Sequence, residues 1–346
     1  LRFFTAPFDS GQLAISIGEC LHEVSVKSWL QMCSVTGIAM LAAAACAQSY
    51  PVKPVRILVG FSAGGGTDVT ARMLAQKLSA YLGQPVIVEN RAGSGGMIAT
   101  ETVSKSPADG YTLLMVAAAD VVQPAMRAKL SYDLERDFAP ISNVVVVPFA
   151  LATHPSVPAR NVKELIALAR TSPGRLNYAS SGIGSSAHLS NELFNSMAKV
   201  NITHVPYKGV AEGVTALAGG QIEMIFGSFP ATMPLYEARR IRMLAVSTLK
   251  RTSVMPELPT VSEAGVPGYD RYGWYGVIAP AGVGKDVIAR LNAGIVKVTA
   301  TPEMREMFTR QGLDPQTNSP EQFGAFIHSE LVQTAKLIKA SGAQAN

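Results

Sequence analysis

The stretch from Arg56 to Leu82 constrains this chain most, because it sets a buried strand, a turn of small residues and an amphipathic helix end to end. Val55 to Phe61 reads as the strand. Val69, Met73, Leu74, Leu78 and Tyr81 recur at helical spacing, and Gly83 followed by Pro85 stops the helix in the usual order. Glycines at such a junction let a ligand approach the backbone. The first helical N–H groups there also lack an acceptor within the helix, at the positive end of its dipole. An anion can bind at that point without a basic side chain. A second turn of this kind runs from Ser180 to Ser186.

The same alternation continues along the chain. Pro85 to Glu89 and Tyr111 to Ala117 read as strands, separated by the glycine-rich Asn90 to Gly96 and a helix through Thr100 to Lys105. This order predicts a parallel sheet with helices on its faces. Ile141 to Thr153 is β-rich, too long for one ordinary strand and broken only by Pro148, so it is expected to cross between lobes. Asn161 with Glu164 resembles a capping box that opens a helix reaching Ala169. Leu176 to Ala179 is a strand entering the Ser180 turn, and a helix follows through Leu189, Leu193, Phe194 and Met197. Ile202 to Tyr207, Ile222 to Phe226 and Ile241 to Ser247 read as further strands, and Trp274 to Pro280 as a second crossing. The tail is helical, with starts at Thr301-Pro302 and Ser319-Pro320. Phe323, Phe326, Ile327, Leu331 and Ile338 share one face. The expectation is α/β, two open domains joined by two crossing strands. Residues 1–47 form a leader, 48–151 plus 275–346 one lobe, and 152–274 the other. Ligand is expected in the cleft, at the strand C-termini where the small-residue turns gather.

Composition bears on compartment and partners. Lys27 precedes an uncharged run from Trp29 to Ala47, apolar around Gly37 to Ala45, and Ala45-Cys46-Ala47 has the small-x-small pattern of a secretory cleavage site. The densest apolar part falls short of the ~20 residues of a spanning helix, so a cleaved signal peptide and a periplasmic location are expected. An acylated Cys46 is the weaker reading, since Ala43 stands where a larger aliphatic residue is usual. Residues 1–26 carry no usable character, and a displaced translation start is expected near Leu1. All three cysteines lie in the leader, so the exported chain would have neither a disulfide nor a cysteine-based metal site. The net charge of +5 comes with no Lys/Arg run longer than two, which suits mild steering of anionic solutes rather than nucleic-acid binding.

Enzyme readings compete at the first turn. Gly60-Phe61-Ser62-Ala63-Gly64 matches the G-x-S-x-G nucleophile elbow of a serine esterase. It follows the first strand, however, and the one late histidine, His328, lies on the polar face of the last helix. A phosphate-binding P-loop fails because Gly66 occupies the lysine position, and G-x-G-x-x-G is not met at either turn. His22, His154, His188, His204 and His328 have no metal-ligand spacing, so neither metal nor cofactor is expected. Only His188, one turn inside the second helix, draws notice. Asp68 reads as a first-turn acid favoured by the dipole, and Ser185 and Ser186 as caps or ligand donors. Tyr207 reads equally as strand-end packing or cleft lining. Trp274 and Tyr275 read as hinge-core packing, and Arg91 as pairing with an anion or with solvent.

Six motifs occur in order: Phe61 to Asp68, Val88 to Gly96, Pro107 to Leu113, Leu176 to Gly182, Val205 to Gly209, and Pro259 to Gly265. Together they resemble the Bug-type solute-binding proteins of tripartite tricarboxylate transporters, over about Tyr50 to Gly342. The resemblance implies a monomeric, two-lobed periplasmic binding protein of the second structural type. It would hold a small carboxylate through backbone N–H groups, Ser/Thr hydroxyls and ordered waters. It would then dock on membrane permease subunits, or on a signalling receptor. It also implies ligand contacts at Phe61, Gly64, Gly65, Gly66, Thr67 and Asp68, and at Ser180, Ser181, Gly182, Ser185, Ser186, Tyr207 and Ser228. This chain departs from the pattern at Ser62 and Ala63, where relatives often have two prolines, and at Gly227, where they have an Asp. Without that acid to meet an amine, a plain mono- or dicarboxylate or an aromatic acid is expected rather than an amino acid.

Overall fold

The computed structural model describes residues 50–127, 129–207 and 209–341; the expected leader, its cleavage site and Cys46 lie outside the described residues. Two mixed sheets carry the fold. Among the described residues, the first has six strands and the second five.

In the first sheet, β1 (Val55–Val59) lies between β2 (Val86–Asn90) and β3 (Thr112–Ala117), parallel to both. The helices between them are α1 (Gly66–Leu82) and α2 (Met97–Ser104). Here the expected parallel arrangement holds. Beyond β3 the sheet turns antiparallel, because β10 (Gly273–Pro280) returns from the second sheet and runs against both β3 and β4 (Phe138–Val147). Trp274 to Pro280 is therefore not a crossing but an interior strand of this sheet. A short β11 (Asp314–Pro315) closes the edge.

Pro148 marks where the chain changes sheets. With no N–H to give to a ladder, it separates β4 from β5 (Phe149–Thr153), and β5 pairs antiparallel with β8 (Met224–Ser228) and β9 (Arg242–Val246). The parallel part of the second sheet is β7 (Thr203–Pro206), β6 (Asn177–Ser180) and β8. Its helices are α4 (Val162–Thr171), α5 (Ser186–Ala198), α6 (Val210–Ala218) and α7 (Phe229–Glu237). The Asn161 side chain caps α4 by accepting from Glu164 N, but Glu164 reaches back to Arg160 N, so the reciprocal arm falls one residue early. The return path runs from Ser247 to Tyr272 and includes a single helical turn, α8 (Val261–Ala264), with its Thr260–Glu263 capping box. Ser247 N bonds Phe149 O and Arg271 N bonds Ser247 O, so this path lies beside the outgoing one.

Helices α9 (Lys285–Thr299), α10 (Pro302–Arg310) and α11 (Pro320–Ser341) complete the first half. Phe323 and Ile327 of α11 pack with Leu58, Leu114, Val116, Phe138, Trp274 and Ile278 in its core. Gly276 has no room for a Cβ because the Phe323 ring occupies that space. The core of the second sheet is Ala152, Ala179, Val214, Leu217, Ile222, Ile225 and Ile241. On α1 the buried stripe is Thr70, Ala71, Leu74, Ala75, Leu78 and Leu82. Val69, Met73 and Tyr81, expected on it, are half-buried at its flank. Small residues set the helix close on its sheet and shift the contact line away from the larger ones.

Candidate functional site

The first turn begins where β1 stops at Val59. A Cβ on Gly60 would stand 2.7 Å from Gly96 Cα, so this turn and the Gly93–Gly96 turn after β2 meet backbone to backbone. The half-buried Phe61 leans toward the same glycine. Gly65 N bonds Ser62 O to close the turn, Gly64 takes φ +80°, and the first helical bond runs from Val69 N to Gly65 O. Gly66, Thr67 and Asp68 thus have N–H groups with no acceptor inside α1, and the N-cap Gly65 has no side chain to supply one. Ser62 to Gly66 are exposed.

Asp68 takes the first-turn place expected of it, and its side chain is committed to the loop. Its side chain is buried and turned back into the loop, where the carboxylate accepts from Gly64 N at 2.8 Å, Arg72 Nε at 3.0 Å and Asn90 Nδ2 at 2.9 Å. Asn90 Nδ2 also reaches Phe61 O at 3.1 Å. Burial alone would push this carboxyl up, but the Arg72, Gly64 and Asn90 donors outweigh it and hold the pKa below the ordinary value. Asp68 shapes the turn. Tyr275, read as packing, sets its hydroxyl 2.7 Å from where a Cβ on Gly66 would stand, so it lies over the first turn of α1. Trp274 is core, as expected. Arg91 pairs with Glu89 at 2.7 Å.

The second turn is built from its own side chains. Ser180, expected to meet a ligand, is fully buried: its Oγ lies 2.6 Å from His204 Nε2, accepts from Gly182 N and donates to Gly182 O. Ser185 caps α5 by accepting from His188 N at 3.2 Å. Ser181, Gly182, Ser185 and Ser186 are half-buried, and Ile183 between the two glycines is exposed. Tyr207 N bonds Ser180 O, which sets Tyr207 at the end of β7 beside this turn. Ser228 is the N-cap of α7; its carbonyl accepts from Thr232 Oγ1 and its hydroxyl makes no capping bond. At Gly227 a Cβ would stand 2.6 Å from Thr232 Cγ2 and 3.4 Å from Val214 Cγ2. A side chain there would enter the layer under α6 and α7. The expectation that an acid at this position would meet a ligand amine does not fit this backbone.

A segment that sequence reasoning missed joins the two turns. After β3 the chain makes a single turn at Asp120–Val122 and then α3 (Gln123–Met126). A Cβ on Gly184 would stand 2.9 Å from Val122 Cγ1 and 2.6 Å from Met126 Sδ, so the second turn rests on this segment. On its other side, Asp120 Oδ1 lies against Gly96. Its Oδ2 accepts from Ala117 N at 2.7 Å, and burial pushes its carboxyl up to about 7. The only sequence signal was an acid just past an apolar strand. Strand C-termini of both sheets therefore present two helix N-termini with hydroxyls around them, suited to an anion's oxygens. Among the described residues, no group of His, Cys, Asp and Glu could hold a metal ion, and no helix is long and apolar enough to cross a membrane.

The model of a family described as the tripartite tricarboxylate transporter family receptor matches residues 70–343. Protein BugT of Bordetella pertussis is 36% identical over 306 residues, covering 88% of this chain and 94% of that one. Among solved structures, R. palustris Rpa4515 with adipate is 37% identical at a TM-score of 0.72, covering 85% of this chain and 99% of that one. MatC from Rhodopseudomonas palustris with bound malate is 28% identical at 0.68, covering 84% and 100%.

Proposed function

The chain belongs to the tripartite tricarboxylate transporter receptor family, and on that premise we propose that it captures a small carboxylate for membrane permease subunits. The observation that carries the reading is the pair of helix N-termini on Gly/Ser turns, joined through the Asp120–Met126 segment. Each offers N–H groups with no acceptor in its own helix, the donor set a carboxylate needs. Two relatives of known structure hold dicarboxylates, adipate in one and malate in the other. In this reading the ligand lies against Phe61, Gly64 to Thr67 and the Asp68 N–H on one side. Ser181, Gly182, Ser185, Ser186, Tyr207 and Ser228 face it from the other, while the Asp68 and Ser180 side chains hold the turns. The two sheets with their helices are two lobes, and closure follows from better ligand contacts in the closed form. The leader directs export to the periplasm, and the receptor acts as a monomer.

The chemistry is binding rather than hydrolysis. All four described histidines have a bond away from Ser62: His154 to Ser156, His188 to Gly184, His204 to Ser180 and His328 to Glu135. A serine-directed covalent probe is expected to leave Ser62 unlabelled; labelling abolished by Ser62→Ala would favour an esterase instead. For binding itself, adipate or malate at ~100 times its dissociation constant should add ~2.7 kcal/mol of stability in a thermal-shift assay. Gly66→Leu should abolish that shift, because the new side chain meets the Tyr275 hydroxyl and fills the backbone approach. An undiminished shift in this variant would remove the first turn from the site.

A further inference from the structure

His188 and His204 are separated in sequence by nearly the whole of α5 and the start of β7, yet their rings stack at 4.3 Å. Tyr178 packs against both, its ring 4.9 Å from His204 and 6.5 Å from His188, and its hydroxyl bonds Glu192 of α5. These four side chains form a small polar stack directly beneath the second turn. Two of its ring nitrogens are committed to that turn. Gly184 N donates to His188 Nδ1 at 3.1 Å, across the residue where the backbone runs through φ +77°. His204 Nε2 lies 2.6 Å from Ser180 Oγ, which in turn holds both the N–H and the carbonyl of Gly182. Both glycines at positive φ in this turn, Gly182 and Gly184, are therefore tied to an imidazole, through one hydroxyl or directly.

We propose that His188 and His204 are positioning residues that lock the second turn in the shape that presents the start of α5 to the bound carboxylate. The role needs His188 neutral, since Nδ1 accepts only when it carries no proton. The surroundings keep it so. Burial pushes His188 down to about 4, and burial together with His188 does the same to His204, with Glu192 the opposing charge nearby. A free turn with two glycines at positive φ would sample many shapes, and the ligand would have to order it on binding. The imidazoles make that ordering part of the fold. This inference rests on reading the second turn as a ligand contact, so its test separates the two.

The test replaces acceptor and bulk independently, with adipate as the probe in calorimetric titration. His188→Leu keeps the bulk and loses the acceptor; His188→Asn loses the ring but returns an oxygen near the place of Nδ1. Leu is expected to weaken adipate at least tenfold, and Asn to bring the affinity back to within about threefold of the parent. Melting temperatures without ligand need not follow that order. Hydrogen exchange at the Gly184 amide gives a readout that requires no ligand, expected to be at least a hundredfold faster in the Leu variant than in the parent. Parent-like affinity and exchange in His188→Leu, or equal losses in Leu and Asn, would overturn the proposal. If the Leu variant does not fold, His204→Gln and His204→Leu repeat the comparison at Nε2. Ser186→Asp tests the site itself by placing a negative charge at the helix start. Adipate binding unchanged in that variant, beside slowed Gly184 exchange in the parent, would reject the ligand contact while leaving the imidazole lock standing.

Discussion

Asp120 sits at the end of β3 with 2% of its surface exposed, and the donors to its carboxyl are the Ala117 N–H and the Thr100 hydroxyl at 3.4 Å. Burial raises its folded pKa from 3.8 to about 7, so the folded state holds a proton across that window while the unfolded state releases it. Its contribution to stability is complete below the unfolded value and is lost as pH rises through the folded one. Asp120→Asn, which cannot titrate, should gain on the parent in melting temperature as pH climbs from 4 to 7; a constant difference would refute the shift. Asp68 has the opposite sign. Its folded pKa is lowered, so its contribution is present above the ordinary carboxylate range and is lost in acid. Asp68→Asn at neutral pH should cost about 1–3 kcal/mol in urea denaturation, the scale for losing a charged hydrogen-bonding partner. Both residues show what the sequence could reveal and what it could not. Asp68 and Ser180 were legible as turn residues, but the direction of each side chain was not. Their partners, Asn90 and His204, come 22 and 24 residues later, from strands that propensity alone cannot bring alongside.

Elements announce themselves through period and punctuation, and here those signals located nearly every helix and strand of the parallel portions. Gly83 at φ +71° ends α1 as the Gly-then-Pro order required, and Thr301 caps α10 through Met304 N. Pairing direction was not legible. β10 reads as an apolar run in any sheet; its antiparallel place between β3 and β4 follows from the return path out of the second sheet, a long-range fact. Its glycine was equally silent. Gly276 lies under the fully buried ring of Phe323 on α11, so strand and helix approach as close as a missing Cβ allows. Gly276→Ala should overpack this contact and destabilise by about 1–3 kcal/mol or more. Phe323→Leu, destabilising alone, should recover part of the loss in the double variant, because the two changes share one space. Additive losses in denaturant midpoints would show that the ring yields without help.

At the scale of the whole molecule, the question is what ties the return path to the first sheet as it arrives from the second. Arg271 is the last residue before Tyr272 and β10, and its guanidinium, 2% exposed, pairs with Glu330 of α11 at 3.1 Å. Glu330 also accepts from Trp274 Nε1 at 3.1 Å, and Thr334 takes the other arm of Arg271. One carboxylate thus grips the end of the crossing path and the first core residue beyond it. Buried pairs of this kind rarely stabilise more than apolar residues of the same volume, but losing one partner strands the other charge. Glu330→Gln should therefore cost about 3–5 kcal/mol, and Arg271→Met a similar amount. The double variant Arg271→Met/Glu330→Leu should be more stable than either single one, since no charge is then left unpaired. If the pair serves only packing, that double variant should bind adipate as the parent does. If it sets the angle at which the two sheets meet, stability should return while adipate affinity stays low. Measuring denaturation and adipate titration on the same three variants separates a strut from a filler. Losses in stability that simply add would contradict both, because they would mean that the two charges do not sense each other across the junction.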